Sequence, residues 1–275
     1  MKKTILKLAL IFFTATANSV FAADEDQACD DDTLHIIAKH LNLDEMVIDF
    51  VSQACKATPG DKNIMLVALA IDTHGSDNPN LGDQTYTEVV AKVNKTKKKV
   101  ISIFKEEVGT DVITDFGEYS LALDTARYQL NANTRAFGVR YVSSARGASC
   151  ASGYWSSQLT LYVEKGRQLM PIMGREMYIA EALKGCIGMA TKDNLIRSAN
   201  LALSVLKTKA NRHADLLLTA TIEVQGAGEN SQSQNAKDSL KLVFNGNYYV
   251  LEKQKCYPWW VQENNNNKPL ECGHD

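Results

Sequence analysis

The sequence predicts a mainly β protein, made of repeated antiparallel β-strand units (propeller-like or sandwich) with a small N-terminal α-helical hairpin in front. Three observations carry this. Between Ser120 and Met173 four strand-like segments follow one another: SLALDTARYQL, TRAFGVRYVSS, SQLTLYV and RQLMPIM. Within them Leu159, Leu161 and Val163 alternate with Gln158, Thr160 and Tyr162, the period-2 pattern of a half-buried strand. The pattern then recurs, AFGVRYV matching DLLLTATIEV, and SQLTLYVEKGRQLMPIM matching DSLKLVFNGNYYVLEKQ, with IMLVALAI and the hairpin after it as a weaker first copy. Copies that start near residues 64, 134 and 215 suit a propeller-like array, and one continuous β-sandwich also fits.

Residues 1–22 read as a secretory signal peptide. Lys2, Lys3 and Lys7 precede an apolar run centred on LALIFF, and Val20-Phe21-Ala22 ends on a small residue, which puts cleavage before Ala23. Thr14, Thr16, Asn18 and Ser19 dilute the run too soon for it to span a membrane, and no later segment reaches the roughly 18 apolar residues a spanning helix needs. The chain is therefore expected in the periplasm or secreted.

Residues 23–60 differ in character. Asp31, Asp32 or Thr33 would cap a helix LHIIAKHL, and Asn42 would cap a second, with Asp44 and Glu45 in its first turn. Met46, Val47, Phe50, Val51 and Ala54 recur at helical spacing, and Thr58-Pro59-Gly60 would end the second helix.

Residues 61–255 form the repeated β body. The eight-residue apolar run IMLVALAI reads as a buried strand. TYTEVVAKVN and KVISIFKEE flank the polar KTKK, so the lysines from Lys95 to Lys99 read as a solvated hairpin tip rather than a nucleic-acid patch. Glu164, Lys165 and Gly166 join two strands as a hairpin, and Asn245-Gly246 makes the last tight turn. REMYIAEALKGCIG fits either helix or strand. The loop QGAGENSQSQNAKD and the NNNN of residues 256–275 are polar, and a disulfide would tie that tail back.

Six cysteines follow the export signal, an even count that reads as three disulfides. Of the 15 connectivities, chain order favours neighbours: Cys29 with Cys55, Cys150 with Cys186, and Cys256 with Cys272. No CxxC or Cys/His pair has zinc-ligand spacing. The charge is nearly balanced, 30 basic against 32 acidic residues, or 27 against 32 without the three lysines of the leader. Neither nucleic acid nor an anionic membrane surface is suggested as partner.

Catalytic patterns are scarce. There is no GxSxG, and Cys150 in GASCASG reads as a disulfide cysteine before a nucleophile. Asp72, His74, Asp77 and Asp83 lack the alternating acids and central glycine of a calcium loop, so a plain acidic loop is the reading. Glu106 and Glu107 are adjacent on a strand end and face opposite ways, a poor acid/base pair. Asp124, Arg127, Arg135 and Arg140 are charges within strands, expected to pair with one another. Trp155, Tyr257, Trp259 and Trp260 are the candidate binding residues, since Tyr and Trp make sugar- or protein-binding surfaces; core packing beside a disulfide is the plainer alternative.

CKATPGDKNIMLVALAI, LDTARYQL followed by TRAFGVR, and LTLYVEKGRQLMPIM together resemble a family of uncharacterised secreted, periplasmic proteins of Gram-negative bacteria, over most of residues 53 to 255. The resemblance implies export and a β-rich fold, and brings no catalytic residue or ligand. The expectation is a non-catalytic, inhibitor- or immunity-like binding module for a protein or glycan of the cell envelope, with no cofactor. An envelope structural component is the alternative. A hydrolase built from distant residues, for which Asp72, His74 and His213 are the candidates, is the remaining one.

Overall fold

The computed structural model describes residues 27–43, 49–72, 84–188, 193–226 and 234–261. The leader, most of the acidic loop after Asp72, and the tail beyond Val261 lie outside the described residues.

One helix, α1 (Asp31–Leu41), opens the described chain. Asp30 caps it: its backbone is extended and its carboxylate accepts the Thr33 N–H, while Asp31 and Asp32 add negative charge to the first turn. Asn42 has a left-handed backbone, φ 55°, and its N–H closes the C-terminus on Ala38 and Lys39. Asn42 thus ends the first helix instead of starting a second. The first turn of the expected second helix, Asp44 to Val47, lies outside the described residues, and from Asp49 on the chain is a strand, β1 (Asp49–Thr58), paired with β2 (Asp61–Asp72). Its apolar residues satisfy both periods, and the hairpin decides between them. Pro59 and Gly60 form the two-residue turn, Gly60 at φ 93°, with Thr58 paired to Asp61. Cys29–Cys55 therefore staples the segment just before α1 to a strand, not helix to helix.

The remaining strands are β3 (Thr85–Asn94), β4 (Lys99–Gly109), β5 (Leu121–Gln129), β6 (Arg135–Tyr141), β7 (Gly153–Lys165), β8 (Gln168–Lys184), β9 (Leu195–Ala210), β10 (His213–Gly226), β11 (Gln234–Phe244) and β12 (Tyr249–Leu251). Lys95 at the β3–β4 turn bonds Asp30, and Lys97 to Lys99 are exposed, as a solvated tip requires. Gly166, φ 66°, closes the β7–β8 hairpin. The ambiguous REMYIAEALK segment is the second half of the long strand β8.

Hydrogen bonds join these strands into one open sheet in the order β1-β2-β3-β4-β8-β9-β10-β11-β12, from which β7, β6 and β5 branch at β8. The three matched stretches fall on the antiparallel runs β2–β4, β6–β8 and β10–β12, yet they are not bonded as separate blades. The β4–β8 link is parallel and rests on Ile103 opposite Gln168.

Three buried clusters account for the run patterns. Val67, Leu69 and Ile71 pack with Ile36 and Ile37 of α1, whereas Leu66, Ala68 and Ala70 pack with Leu121, Leu123, Val139 and Tyr162 of β5–β7. Burial on both faces is why IMLVALAI is continuously apolar. The other face of β5–β8, with Tyr128, Leu159, Leu161 and Ile179, meets Leu216, Leu218 and Leu242 of β10 and β11. No helix among the described residues is long and apolar enough to cross a membrane.

Candidate functional site

Strand register assembles a surface at the end of β7, β8 and β9. Gly153, Glu181 and Arg197 stand side by side across the three strands, and Trp155, Ile179 and Ala199 form the next row on the same face. Ile179 and Ala199 belong to the core, so the face is the inner one, and these rows are its rim. Gly153 lets the Trp155 ring lie over the strand: a Cβ there would stand 2.9 Å from the indole. Trp155 nevertheless remains 47% exposed. Both Nε and Nη2 of Arg197 donate to Glu181 Oε2, at 2.8 and 2.6 Å, and the guanidinium lies 4.3 Å over the Trp259 ring. Stacked and bonded on two sides, the arginine is held in one orientation.

The rim is braced from outside. Cys150–Cys186 joins the segment before β7 to the segment after β8, and Ala151 bridges to Ile187. The Asn194 amide donates to the Cys186 carbonyl and accepts its N–H. A surface held by a disulfide and paired backbone loses little entropy on binding.

Behind the rim lies a small pocket where β8 leaves β9 beyond the Tyr178–Asn200 pair. Gln158, Arg175, Glu176, Leu201 and Trp260 line it, and it has room for about one water molecule. Burial raises the Glu176 carboxyl above its ordinary range.

Of the four candidate binding residues, Trp155 and Trp259 reach the rim. Trp260 is fully buried and donates through Nε1 to Asp238. Tyr257 is half-buried, its hydroxyl donating to the Glu252 carbonyl and accepting the Gln254 N–H. The plainer expectation of packing describes these last two. The Arg197 and Glu181 partners were not anticipated, because their pairing depends on the β8–β9 register and on the final segment folding back over β9.

A second feature is the acid pair Glu88 and Glu106. Strand alternation puts Glu88 on the face of Tyr86 and Val90, and Glu106 on that of Phe104 and Val108, directly opposite each other. Burial, then the neighbouring Glu106 charge, pushes the Glu88 carboxyl up to about 7. Burial raises Glu106 as well, and the Tyr162 hydroxyl is pushed up by burial and by both carboxylates. Glu106 and Glu107 do face opposite ways; the partner of Glu106 is across the ladder, not next in the chain.

The other polar candidates separate. Asp124 and Arg140 pair at 2.9 Å, largely buried, while Arg135 bonds the Thr125 carbonyl. Asp72 ends β2 and His213 begins β10, its ring 4.2 Å from Phe244; His74 lies outside the described residues. Among the described residues no three His, Cys, Asp or Glu side chains are grouped to hold a metal ion. Cys256 is disulfide-bonded to a partner outside the described residues.

Comparison with protein-family models, with curated proteins and with solved structures gives no match.

Proposed function

We propose that the chain is an exported, periplasmic recognition module without catalytic activity, which binds a component of the cell envelope through the rim formed by Trp155, Glu181, Arg197 and Trp259. The observation that carries this reading is Trp155: a large aromatic ring, about half exposed, laid over a glycine beside a fixed Arg–Glu pair. Aromatic side chains and arginine are enriched in binding surfaces, which supports this reading. The basic and apolar leader and the disulfides support an envelope location. On the same reading, β2–β4, β6–β8 and β10–β12 are three copies of one unit, and an inhibitor or immunity protein is the class of function that fits. Sedimentation of the purified mature chain with isolated cell envelopes tests it. Trp155→Ala should abolish co-sedimentation, and equal sedimentation of both forms would contradict it.

One observation favours a structural component as second reading. Beyond Asn200, β9 pairs only with β10 among the described residues, which leaves an edge that another strand would extend. A concentration-dependent rise in mass on ultracentrifugation, with no loss in the Trp155 variant, would favour this reading.

A further inference from the structure

We infer that the end of the molecule where its hairpin turns gather docks on an anionic phospholipid bilayer, an inference that goes beyond the rim and does not depend on it. Contacts between neighbouring turns bring five of them to this one end. The Lys95 N–H donates to the Asn63 carbonyl, which sets the β3–β4 turn beside the β1–β2 turn. Lys92 pairs with Glu164, and the Ile103 N–H donates to the Arg167 carbonyl, which adds the β7–β8 turn. Phe137 opposite Tyr162 brings the β5–β6 turn alongside, and the Asn131 amide donates to the Arg212 carbonyl, which adds the β9–β10 turn. In or beside each turn stands an exposed base outside any ion pair among the described residues: Lys62, Lys97, Arg135, Lys165 and Arg212. The β3–β4 and β7–β8 turns add Lys98, Lys99 and Arg167.

The acids at this end are Asp30, Asp31 and Asp32 at the start of α1, Asp61 and Glu164. Asp30 and Glu164 already pair with Lys95 and Lys92, so bases remain in excess. The balance of 30 bases against 32 acids over the whole chain hides this excess, because the fold sorts the charges. At the far end of β4, the loop into β5 exposes Asp111 and Glu118, and no base occurs from Glu106 to Ala126. A charge distribution of this direction turns the basic end toward an anionic surface.

The layout of the bases chooses between a surface and a polymer. The five turns belong to three stacked layers, β1–β4, β5–β8 and β9–β11, joined through two buried clusters. Such layers stand about 10 Å apart, so the bases cover an area instead of tracing a line. A plane of headgroups meets all of them at once, whereas a single polyanion chain follows one track and meets a few. Lysines predominate, and their hydrated point charges attract a surface without demanding one headgroup geometry. Trp155 lies toward the opposite end of β7, on the order of 30 Å from Lys165, so a docked chain holds the rim away from the bilayer.

The test is sedimentation of the purified mature chain with vesicles, an equimolar mixture of phosphatidylglycerol and phosphatidylcholine against phosphatidylcholine alone. Binding to the mixed vesicles is expected at about 0.1 M salt and its loss at about 1 M, where the screening length is only about 3 Å. Vesicles of phosphatidylcholine alone should not bind. Each base near an anionic surface contributes about fivefold, so Lys97→Gln with Lys165→Gln should weaken binding about twentyfold or more. Lys97→Arg with Lys165→Arg should keep it. Lys184→Gln with Lys237→Gln removes the same charge from exposed positions far from the turns and should also keep it. No binding to the mixed vesicles, equal binding to both kinds, or an equal loss in the two glutamine pairs overturns the inference. Retention on immobilised heparin at about 0.1 M salt without binding to mixed vesicles would assign the bases to a linear polyanion and overturn it as well. The envelope sedimentation proposed above, read at about 1 M salt, reports on the rim alone, so either account can fail without the other.

Discussion

Glu88 and Glu106 face each other across the β3–β4 ladder, on the side that meets the aromatic side chains of β6 and β7. Like charges opposite one another in a half-buried interface disfavour ionisation, and Glu88 is held protonated up to about 7. Between the ordinary value of 4.5 and about 7 the folded chain binds more protons at this site than the unfolded chain. Stability should therefore be highest below the ordinary value, fall as pH rises through this window, and level off above it. The loss attributable to Glu88 is on the order of 1–3 kcal/mol. Glu88→Gln should flatten the profile and stabilise the chain at pH 8, as read by urea unfolding across pH 4.5 to 8. A profile as steep in the variant as in the wild type would refute the assignment.

Gln27 acts as a piece of strand. Its side-chain amide accepts the Leu123 N–H at 2.7 Å and donates to the Leu123 carbonyl at 3.4 Å, so it satisfies both backbone groups on the free edge of β5. Ser52 continues this edge by accepting the Leu121 N–H. Gln27→Ala leaves two buried polar groups unpaired and should cost about 1–3 kcal/mol in denaturant unfolding. Faster amide exchange at Leu123 should accompany the loss, and unchanged exchange would speak against the bond.

Asp124 is the centre of a buried polar cluster. Its Oδ2 accepts from Arg140 Nε and Nη2 and from the Tyr128 hydroxyl. Asp124→Ala should cost about 3–5 kcal/mol, because it leaves a largely buried arginine without its carboxylate. Replacing both by apolar residues, Asp124→Leu with Arg140→Met, should recover much of that loss. A double variant as unstable as the single one would mean that the cost lies in packing, not in charge.

Gly138 is a matter of space. A Cβ added there would stand 2.6 Å from Leu159 Cδ1 and 3.1 Å from Asp124 Cβ, between β5 and β7. Gly138→Ala should lower stability by about 1–3 kcal/mol by overpacking, measured by thermal melting. Trimming the neighbour, Leu159→Val, should relieve part of it.

What was legible in the residues was mostly what one strand or one turn decides alone. Alternation in β7, the continuous run of β2, the turns at Gly166 and Gly246 and the neighbour pairing of Cys29 with Cys55 and Cys150 with Cys186 all follow from local spacing. Phe50, Val51 and Ala54 misled, because their spacing suits a helix as well as a strand, and only pairing with β2 settles which forms. Asn42 misled for a related reason: the same side chain suits either end of a helix, and its left-handed backbone fixes it at the C-terminal one.

The site was legible in part. Trp155 and Trp259 stood out as aromatics, but nothing local distinguishes Trp259, which reaches Arg197, from Trp260, which fills the core. Glu88 could have been found from its parity with Tyr86 and Val90, which marks it as facing inward. Its pairing with Glu106 needed the register of two strands joined through the β3–β4 turn.

The proposed recognition by the rim is tested most directly by placing a photo-crosslinking amino acid at position 155, and separately at the exposed Tyr248, in the full-length chain expressed in cells. Irradiation should give adducts from position 155 and none from position 248. Equal adducts from both positions, or none from 155 with the chain folded and exported, would contradict it.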